Sequence, residues 1–280
     1  MKYRITRQGI CKEVSLPCYG RQDVGISPGG AMDSFALVSG NRLLGNPDDA
    51  PALEIIYPPE IVIEEEGCFI LTGGALRDVI LKDKDTDTKV EHAVVYRAGK
   101  GARLSFGTRA YGFRTYLCFI LASDAASGIE GIQRGTFKDI APWTDPEGLI
   151  RVLEGPEYEY FDNAADFLNR PWTVSRDISD MGMRLENQDI RFSSTMEGNM
   201  ISEAVADGTI QMTPKGPIIL LKHRQTVGGY PRMLNVISAD VDLLAQYGPG
   251  QILRFKKTSL PEARKILIQK NKDLDRLRRK

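Results

Sequence analysis

Residues 216–239, GPIILLKHRQTVGGYPRMLNVISA, place a polar segment between two apolar runs. Both runs are short and rich in branched apolar residues, which is typical of buried strands. A hairpin loop usually needs only about two to five residues, whereas this connection, from His223 to Pro231, takes about nine. Most of its side chains can form hydrogen bonds. We therefore predict two core strands of a β fold, joined by a binding loop.

Further strand patterns run through the rest of the chain. Examples are EIVIEEEGCFILTG (60–73), RTYLCFILA (114–122) and QILRF (251–255). Each is bounded by glycine, proline or charged residues, and this spacing favours barrels or sandwiches over alternating βα units. The sequence thus predicts a mainly β protein with a few helices.

Three segments predict the helices: residues 30–47, 240–250 and 261–280. Asp240 is a candidate N-cap, and Pro261 suits a first helical turn. The last helix is basic; it either contacts a nucleic acid or a partner, or is a solvated terminal helix with cations near its C-terminal end. A boundary between domains is expected at APWTDPEG, residues 141–148.

Composition excludes several classes of function. The chain has 280 residues, with 37 basic and 37 acidic side chains, so no overall positive field attracts nucleic acid or an anionic membrane. Four cysteines without a CxxC pair and two histidines are too few for a typical zinc site, so we expect no metal. No apolar run is long enough to predict a signal peptide or a membrane helix, and we expect a cytoplasmic protein with free thiols.

The loop after Leu221 offers groups that suit a small polar ligand. Gly228 and Gly229 can adopt positive φ and let backbone amides approach a ligand. Gln225 and Thr226 supply neutral donors and acceptors, and Tyr230 supplies a ring with a polar tip. Arg224 has the geometry to bind a carboxylate with two hydrogen bonds. The alternative is a structural corner in which Tyr230 is packed and Pro231 stiffens the turn.

The stretch GISPG, residues 25–29, matches the G-x-S-x-G pattern of serine hydrolases. In that motif the residue after the serine supplies a backbone N–H, and here that residue is Pro28, which has none. We interpret the stretch as a turn into a helix that begins near Gly30. Its free N–H groups face an anion or a carbonyl, or else it is an ordinary capped helix start. The chain also lacks a P-loop, a dinucleotide fingerprint and a biotin-attachment lysine, so ATP or biotin would come from another polypeptide.

Several motifs, in order from about residue 19 to 256, carry a family resemblance. They are SPGGAMDSFALVSGNRLLGN (27–46), MGMRLE (181–186) and RQTVGGYPRMLNVISADVDLLAQYGPGQILRF (224–255). Together they resemble the biotin-dependent carboxyltransferase family, which includes KipA, allophanate hydrolase subunit 2 and the 5-oxoprolinase C subunit. The resemblance implies cyclophilin-like β-barrel units, which we place at residues 1–140 and 141–260, with the basic helix at 261–280.

The resemblance also implies partners and an activity. It implies a subunit of the allophanate hydrolase subunit 1 or KipI type and a third, LamB/YcsF-like subunit. Such a complex opens 5-oxoproline with ATP, or moves a carboxyl group from carboxybiotin to urea. ATP or carboxybiotin would reach the chain through these partners. The alternative is a regulatory protein that sequesters a KipI-like partner without catalysis of its own.

Matching positions imply a substrate pocket, with no catalytic residue specified. We hypothesise that Arg184 clamps a carboxylate or carboxybiotin, and that the loop from Gln225 to Tyr230 recognises an amide edge. Asp180, Met183 and His223 depart from the residues that are usual in the family, which indicates a divergent member. The implied positions are Ser27, Gly29, Gly30, Met32, Asp33, Asn41, Arg184, Arg224, Gln225, Thr226, Gly228, Gly229, Tyr230, Pro231 and Asp240, with Gln246 following.

Overall fold

The computed structural model describes residues 3–121, 123–124, 149–186 and 200–277. Strands predominate over helices in these residues, so the prediction of a mainly β protein is confirmed. The chain divides into two compact units. The first comprises Met1–Leu16, Asp33–Pro142 and Asn271–Lys280, and the second comprises Pro17–Met32 and Trp143–Lys270.

This division differs from the expected one in two segments. Asn271–Lys280, expected as part of a separate terminal helix at 261–280, groups with the first unit. Pro17–Met32 belongs with the second unit, although it lies inside the predicted first barrel unit, residues 1–140. The predicted boundary motif, residues 141–148, lies outside the described residues. The predicted C-terminal helix is present and runs from Leu260 to Asp275.

The first unit contains two five-stranded sheets, in the orders β1-β4-β9-β6-β7 and β2-β3-β10-β5-β8. Apolar side chains of both sheets, such as Ile61 and Phe69, form one core cluster. The strands are β1 (Tyr3–Arg7), β2 (Ile10–Val14), β3 (Ala52–Tyr57), β4 (Glu60–Ile63), β5 (Gly67–Leu76), β6 (Ile80–Asp83), β7 (Thr86–Lys89), β8 (Tyr96–Ala98), β9 (Arg103–Ser105) and β10 (Arg109–Leu121).

Helix α1 (Ser34–Leu44) belongs to the first unit and begins four residues later than the predicted start at Gly30. The Asp33 side chain caps it by accepting a hydrogen bond from the backbone N–H of Ala36 at 2.8 Å. Gly45, with φ of +79°, ends it in the left-handed conformation. The capping aspartate and not the glycine turn therefore defines the helix start.

The second unit contains a closed barrel in the order β11-β18-β15-β16-β13-β12-β19. Parallel pairing of β11 with β19 completes it, and the two-stranded sheet β14-β17 is separate. The strands are β11 (Leu149–Glu154), β12 (Trp172–Ile178), β13 (Gly182–Glu186), β14 (Glu203–Ala204), β15 (Thr209–Thr213), β16 (Gly216–Leu220), β17 (Val227–Gly228), β18 (Arg232–Val236) and β19 (Ile252–Lys257).

Among the described residues, three helices accompany this barrel: α2 (Ala164–Leu168), α3 (Val241–Leu244) and α4 (Leu260–Asp275). The residues of α4 up to Lys270 belong to this unit. The barrel core surrounds Trp172, whose ring lies 4.5 Å from that of Phe167. Ala263, Ile266 and Leu267 of α4 pack with Ile237 and Ala239 next to the barrel. Apolar side chains of the terminal helix therefore pack within this unit.

His92 in the first unit predicts acid sensitivity. Neither of its buried ring nitrogens has a hydrogen-bond partner among the described residues. Burial, and then the charge of Arg109, lower the pKa of His92 from 6.5 to about 4. The unfolded chain therefore binds this proton more readily than the folded one. Stability should fall by up to about 3 kcal/mol as the pH drops from above 6.5 to about 4.

The measurement is urea denaturation of the wild type and His92→Phe between pH 7.5 and pH 4. Between these pH values the free energy of unfolding should fall further for the wild type than for the variant, because a phenylalanine side chain cannot bind a proton. Parallel pH curves for the two proteins would show that His92 is not the group responsible.

Candidate functional site

A glycine-rich turn precedes α1 and belongs to the second unit. Gly25, Gly29 and Gly30 have φ of +81°, +64° and +73°. Residues with a Cβ atom rarely adopt these values, so the turn needs glycine at these positions. A hydrogen bond from the Cys18 N–H to the Pro28 carbonyl, 2.9 Å long, closes the segment on itself.

Lys222 holds this turn from two sides. The backbone N–H of Gly29 donates to the Lys222 carbonyl at 3.0 Å. The Lys222 ammonium donates to the Ala31 carbonyl at 3.2 Å. The turn is thereby joined to the end of the apolar run at 216–221, almost two hundred residues away in the sequence.

The two residues after Lys222 make further contacts with the turn. The His223 ring places Nε2 3.1 Å from the Gly30 carbonyl oxygen. The Ser27 hydroxyl donates to the Arg224 carbonyl at 2.5 Å. The structure therefore brings the turn and the start of the predicted binding loop together within one unit. We call Ser27–Ala31 with Lys222–Arg224 the turn–loop cluster.

Arg224, predicted as a carboxylate binder, already faces a carboxylate. Its Nε lies 2.9 Å from Oδ1 of Asp207, as a close ion pair without hydrogen-bond alignment. The Tyr19 hydroxyl donates to the other oxygen of Asp207 at 2.7 Å. Arg224 is 4% exposed, so the pair is largely desolvated. The Asp207 partner was missed from the sequence, because nothing local links residues 207 and 224.

The rest of the predicted loop is partly ordered as a strand. Val227 and Gly228 form β17, which pairs with Glu203 and Ala204. Gln225, Val227 and Tyr230 are exposed, and Tyr230 is 39% exposed, so the ring is not buried as a core corner. The exposed polar groups therefore suit the predicted amide contact, which stays a prediction.

The reason for the glycine pair differs from the predicted one. Gly228 and Gly229 do not have positive φ. A Cβ on Gly228 would lie 2.6 Å from Nε2 of Gln211, and one on Gly229 would lie 3.1 Å from the Met200 carbonyl oxygen. Gln211 also donates to the Tyr230 carbonyl at 3.0 Å. Close packing, and not backbone conformation, favours glycine at these two positions.

Arg184, the predicted clamp, lies on β13 and is held by neighbours within the barrel. Its Nε donates to Asp177 at 3.0 Å, and its Nη1 donates to the Thr213 hydroxyl at 3.0 Å. Nη1 also lies 3.3 Å from the Gly216 carbonyl oxygen. These contacts fix the guanidinium on the sheet, and a clamp role for it stays a prediction.

Asp240, another predicted pocket residue, is fully buried in an ion pair with Arg151. Oδ2 accepts hydrogen bonds from the Arg151 backbone N–H and from Nε, both at 2.8 Å, and Oδ1 accepts from Nη2. The residue occupies the N-cap position of α3, yet its side chain makes no capping hydrogen bond. The predicted cap is therefore corrected to a pair that joins α3 to β11.

Three further predicted positions have structural contacts within their own units. Met32 is 2% exposed and belongs to the barrel core of the second unit. In the first unit, Asp33 caps α1 and its backbone N–H donates to the Tyr116 hydroxyl at 2.7 Å. Asn41, also in the first unit, is buried and donates to the Ala50 carbonyl at 2.8 Å. These contacts account for the residue types without a ligand.

A buried network that the sequence did not reveal lies beside the turn–loop cluster. Asp242 accepts hydrogen bonds from Lys222 and Lys270, both at 2.7 Å. Burial alone would raise the pKa of Asp242, but the charges and hydrogen bonds of the two lysines hold it well below its ordinary value. Lys270 also donates to the Ala239 carbonyl at 2.7 Å. This lysine–aspartate–lysine network connects α4 to the residue that holds the turn.

Neither a metal cluster nor a membrane helix is present in the part of the chain that the structure describes. No group of three or more histidine, cysteine, aspartate or glutamate side chains is placed there to hold a metal ion. None of the described helices is long and apolar enough to span a membrane. The four cysteines are free thiols.

The fold and the motifs identify a family. The model of the carboxyltransferase domain, subdomains A and B, matches residues 24–127 and 120–257. The chain belongs to this family. It is 34% identical to the 5-oxoprolinase C subunit of Haemophilus influenzae, over 93% of this chain and 92% of that protein. It is 31% identical to that of Escherichia coli, over 88% of each chain.

A solved structure shows the same fold in a larger protein. The K. lactis urea amidolyase superposes with a TM-score of 0.85 over 98% of this chain, at 20% identity. This chain covers only 20% of that protein. The likeness at this identity shows the fold alone.

Proposed function

We propose that this chain is one subunit of an ATP-dependent, multi-subunit enzyme that opens a small cyclic amide of the 5-oxoproline type. The observation that carries the proposal is its similarity to two proteins named as the C subunit of 5-oxoprolinase, over at least 88% of both chains. Agreement along almost the whole length is more informative than a shared domain, because a fold can serve unrelated functions.

The predicted binding loop that continues from the turn–loop cluster supports this substrate class. Gln225 and Tyr230 present exposed neutral polar groups on this loop. An amide has one N–H edge and one carbonyl edge, and neutral donors and acceptors match it without the cost of burying a charge. Arg224 is already paired with Asp207, so this position suits the neutral amide part of such a substrate and not its carboxylate group.

Partners would supply what the chain lacks. The sequence has no P-loop, so ATP would be bound by a companion subunit of the allophanate hydrolase subunit 1 or KipI type. A third, LamB/YcsF-like subunit would complete a cytoplasmic complex. The fold shared with urea amidolyase favours a second candidate, in which the chain transfers a carboxyl group from a partner's carboxybiotin to a ureido substrate.

The test is co-expression of the chain with the two companion subunits, followed by measurement of phosphate release with 5-oxoproline, with urea or without substrate. Release stimulated by 5-oxoproline supports the proposed function. Stimulation by urea, with dependence on a biotinylated partner, supports the carboxyltransferase instead. Tight pairing with the KipI-like subunit without any stimulation contradicts both and indicates a regulatory binding protein.

A further inference from the structure

The His223 ring has a defined orientation in the turn–loop cluster. Its Nε2 lies 3.1 Å from the Gly30 carbonyl oxygen. A carbonyl oxygen only accepts hydrogen bonds, so Nε2 must carry the proton in this contact. In the neutral ring the other nitrogen, Nδ1, then has a free lone pair. Within the described residues, Nδ1 has no hydrogen-bond partner.

Gly29 lies next to the Nδ1 edge of this ring and places no side chain there. A Cβ on Gly29 would lie 3.6 Å from Cε1 and 3.9 Å from Nδ1 of His223, in van der Waals contact with that edge. Glycine is also required by the φ of +64° at this position. The same residue therefore permits the turn and adds no side-chain atom against the Nδ1 edge of the histidine.

The backbone around His223 is held firmly. Its N–H donates to the Asp180 carbonyl at 3.1 Å. The residues on either side are fixed by Lys222–Asp242 and Arg224–Asp207 ion pairs. A ring carried on such a segment keeps its direction, which a proton acceptor requires. The charged groups on the surrounding elements are Asp180, Asp207, Lys222, Arg224 and Asp242.

We infer that His223 is the proton acceptor of the turn–loop cluster, with Nδ1 facing the N–H of a small amide or ureido substrate. This inference rests on the proposed function and adds a catalytic residue to it. The proton passes from the substrate nitrogen to Nδ1, while the electron pair of the broken N–H bond delocalises onto the substrate carbonyl oxygen. The ring becomes an imidazolium that still donates to Gly30 through Nε2.

Two substitutions of His223 separate this role from a structural one. In His223→Gln the side-chain amide N–H can replace Nε2 at the Gly30 carbonyl, but nothing replaces Nδ1. In His223→Asn a carbonyl oxygen can replace Nδ1 as a hydrogen-bond acceptor, without being a useful base near neutral pH. General bases contribute about 10²–10⁴-fold to rates.

In the assembled complex with 5-oxoproline, His223→Gln should lower kcat/KM at least about 100-fold. The acid limb of the pH–rate profile, which reports protonation of the base, should disappear. His223→Asn should lower kcat by a similar factor with KM near that of the wild type. Both variants should still bind the companion subunits. The matched control is His92→Gln, the other histidine of the sequence, which should leave kcat/KM unchanged at pH 7.5.

The outcomes are distinct. An active wild type with an equally active His223→Gln variant overturns the inference and leaves the proposed function in place. The same holds if the variant loses activity but keeps the acid limb, because another group is then the base. A wild-type complex that responds to neither 5-oxoproline nor urea overturns the proposed function, and this inference with it.

Discussion

Replacing Asp242 with alanine should lower the free energy of unfolding by about 3–5 kcal/mol, because it leaves two buried ammonium groups without their shared carboxylate. Lys222 and Lys270 are 3% and 4% exposed. Both donate to Asp242 at 2.7 Å. The loss should reach the turn–loop cluster as well, because Lys222 also holds the Ala31 carbonyl. Urea denaturation measures the stability, and partner binding with turnover measures the effect on the site.

The same prediction includes a pH dependence. The folded pKa of Asp242 lies below its ordinary value of 3.8, so its stabilising contribution is complete above that pH and is lost as the pH falls further. The difference in the free energy of unfolding between the wild type and Asp242→Ala should therefore become smaller below about pH 4.

A control is available on α4. Glu262 and Lys265 form an exposed pair with 3.8 Å between charged atoms. Glu262→Ala should change stability by less than about 0.5 kcal/mol, because exposed pairs contribute little. If Glu262→Ala and Asp242→Ala lower the free energy of unfolding equally, the buried network contributes no more to stability than an exposed ion pair.

The Arg151–Asp240 pair should respond unequally to removal of its two partners. Asp240 is fully buried, whereas the Arg151 side chain is 28% exposed. Arg151→Ala strands a buried carboxylate and should cost about 3–5 kcal/mol. Asp240→Ala leaves a guanidinium that water can partly reach, so we expect a smaller loss, near the lower end of that range. Denaturant midpoints of the two variants measure the difference.

Asp240→Asn is the informative companion to these variants. Its side-chain oxygen can still accept from the Arg151 backbone N–H, as the carboxylate does at 2.8 Å. Asp240→Asn should therefore lower the free energy of unfolding by less than Asp240→Ala does. If Asp240→Asn is as unstable as Asp240→Ala, the loss of charge explains the whole effect. If Asp240→Ala lowers the free energy of unfolding more than Arg151→Ala does, the argument from burial is wrong.

The sequence predicted the β fold because short apolar runs bounded by turn residues survive in the structure as strands. Run 216–221 became β16, and run 233–239 became β18. The glycine turn and the QTVGGYP loop were also predictable as special segments, because their residue types are rare inside regular strands. The structural reason for glycine at each position was not predictable from the sequence. Gly228 packs against the end of the Gln211 side chain, and this neighbour depends on how the strands pair.

The partners of the charged residues were the least predictable part. Tyr19 and Asp207 are 188 residues apart in the chain, and Lys222 meets an acid and a carbonyl from two other segments. No local pattern encodes such pairs. Asp240 and Asn41 lie in the motifs that carry the resemblance, and the motifs gave no sign of the structural contacts that both residues make.

The grouping of Pro17–Met32 with the second unit has a practical consequence for dissecting this protein. A truncated gene that starts after residue 142 would encode the whole barrel but omit the glycine turn whose amide meets Lys222. Such a fragment would leave the Lys222 carbonyl without its donor and the His223 ring without its anchor. Splitting, swapping or permuting this chain should therefore carry residues 17–32 along with the barrel.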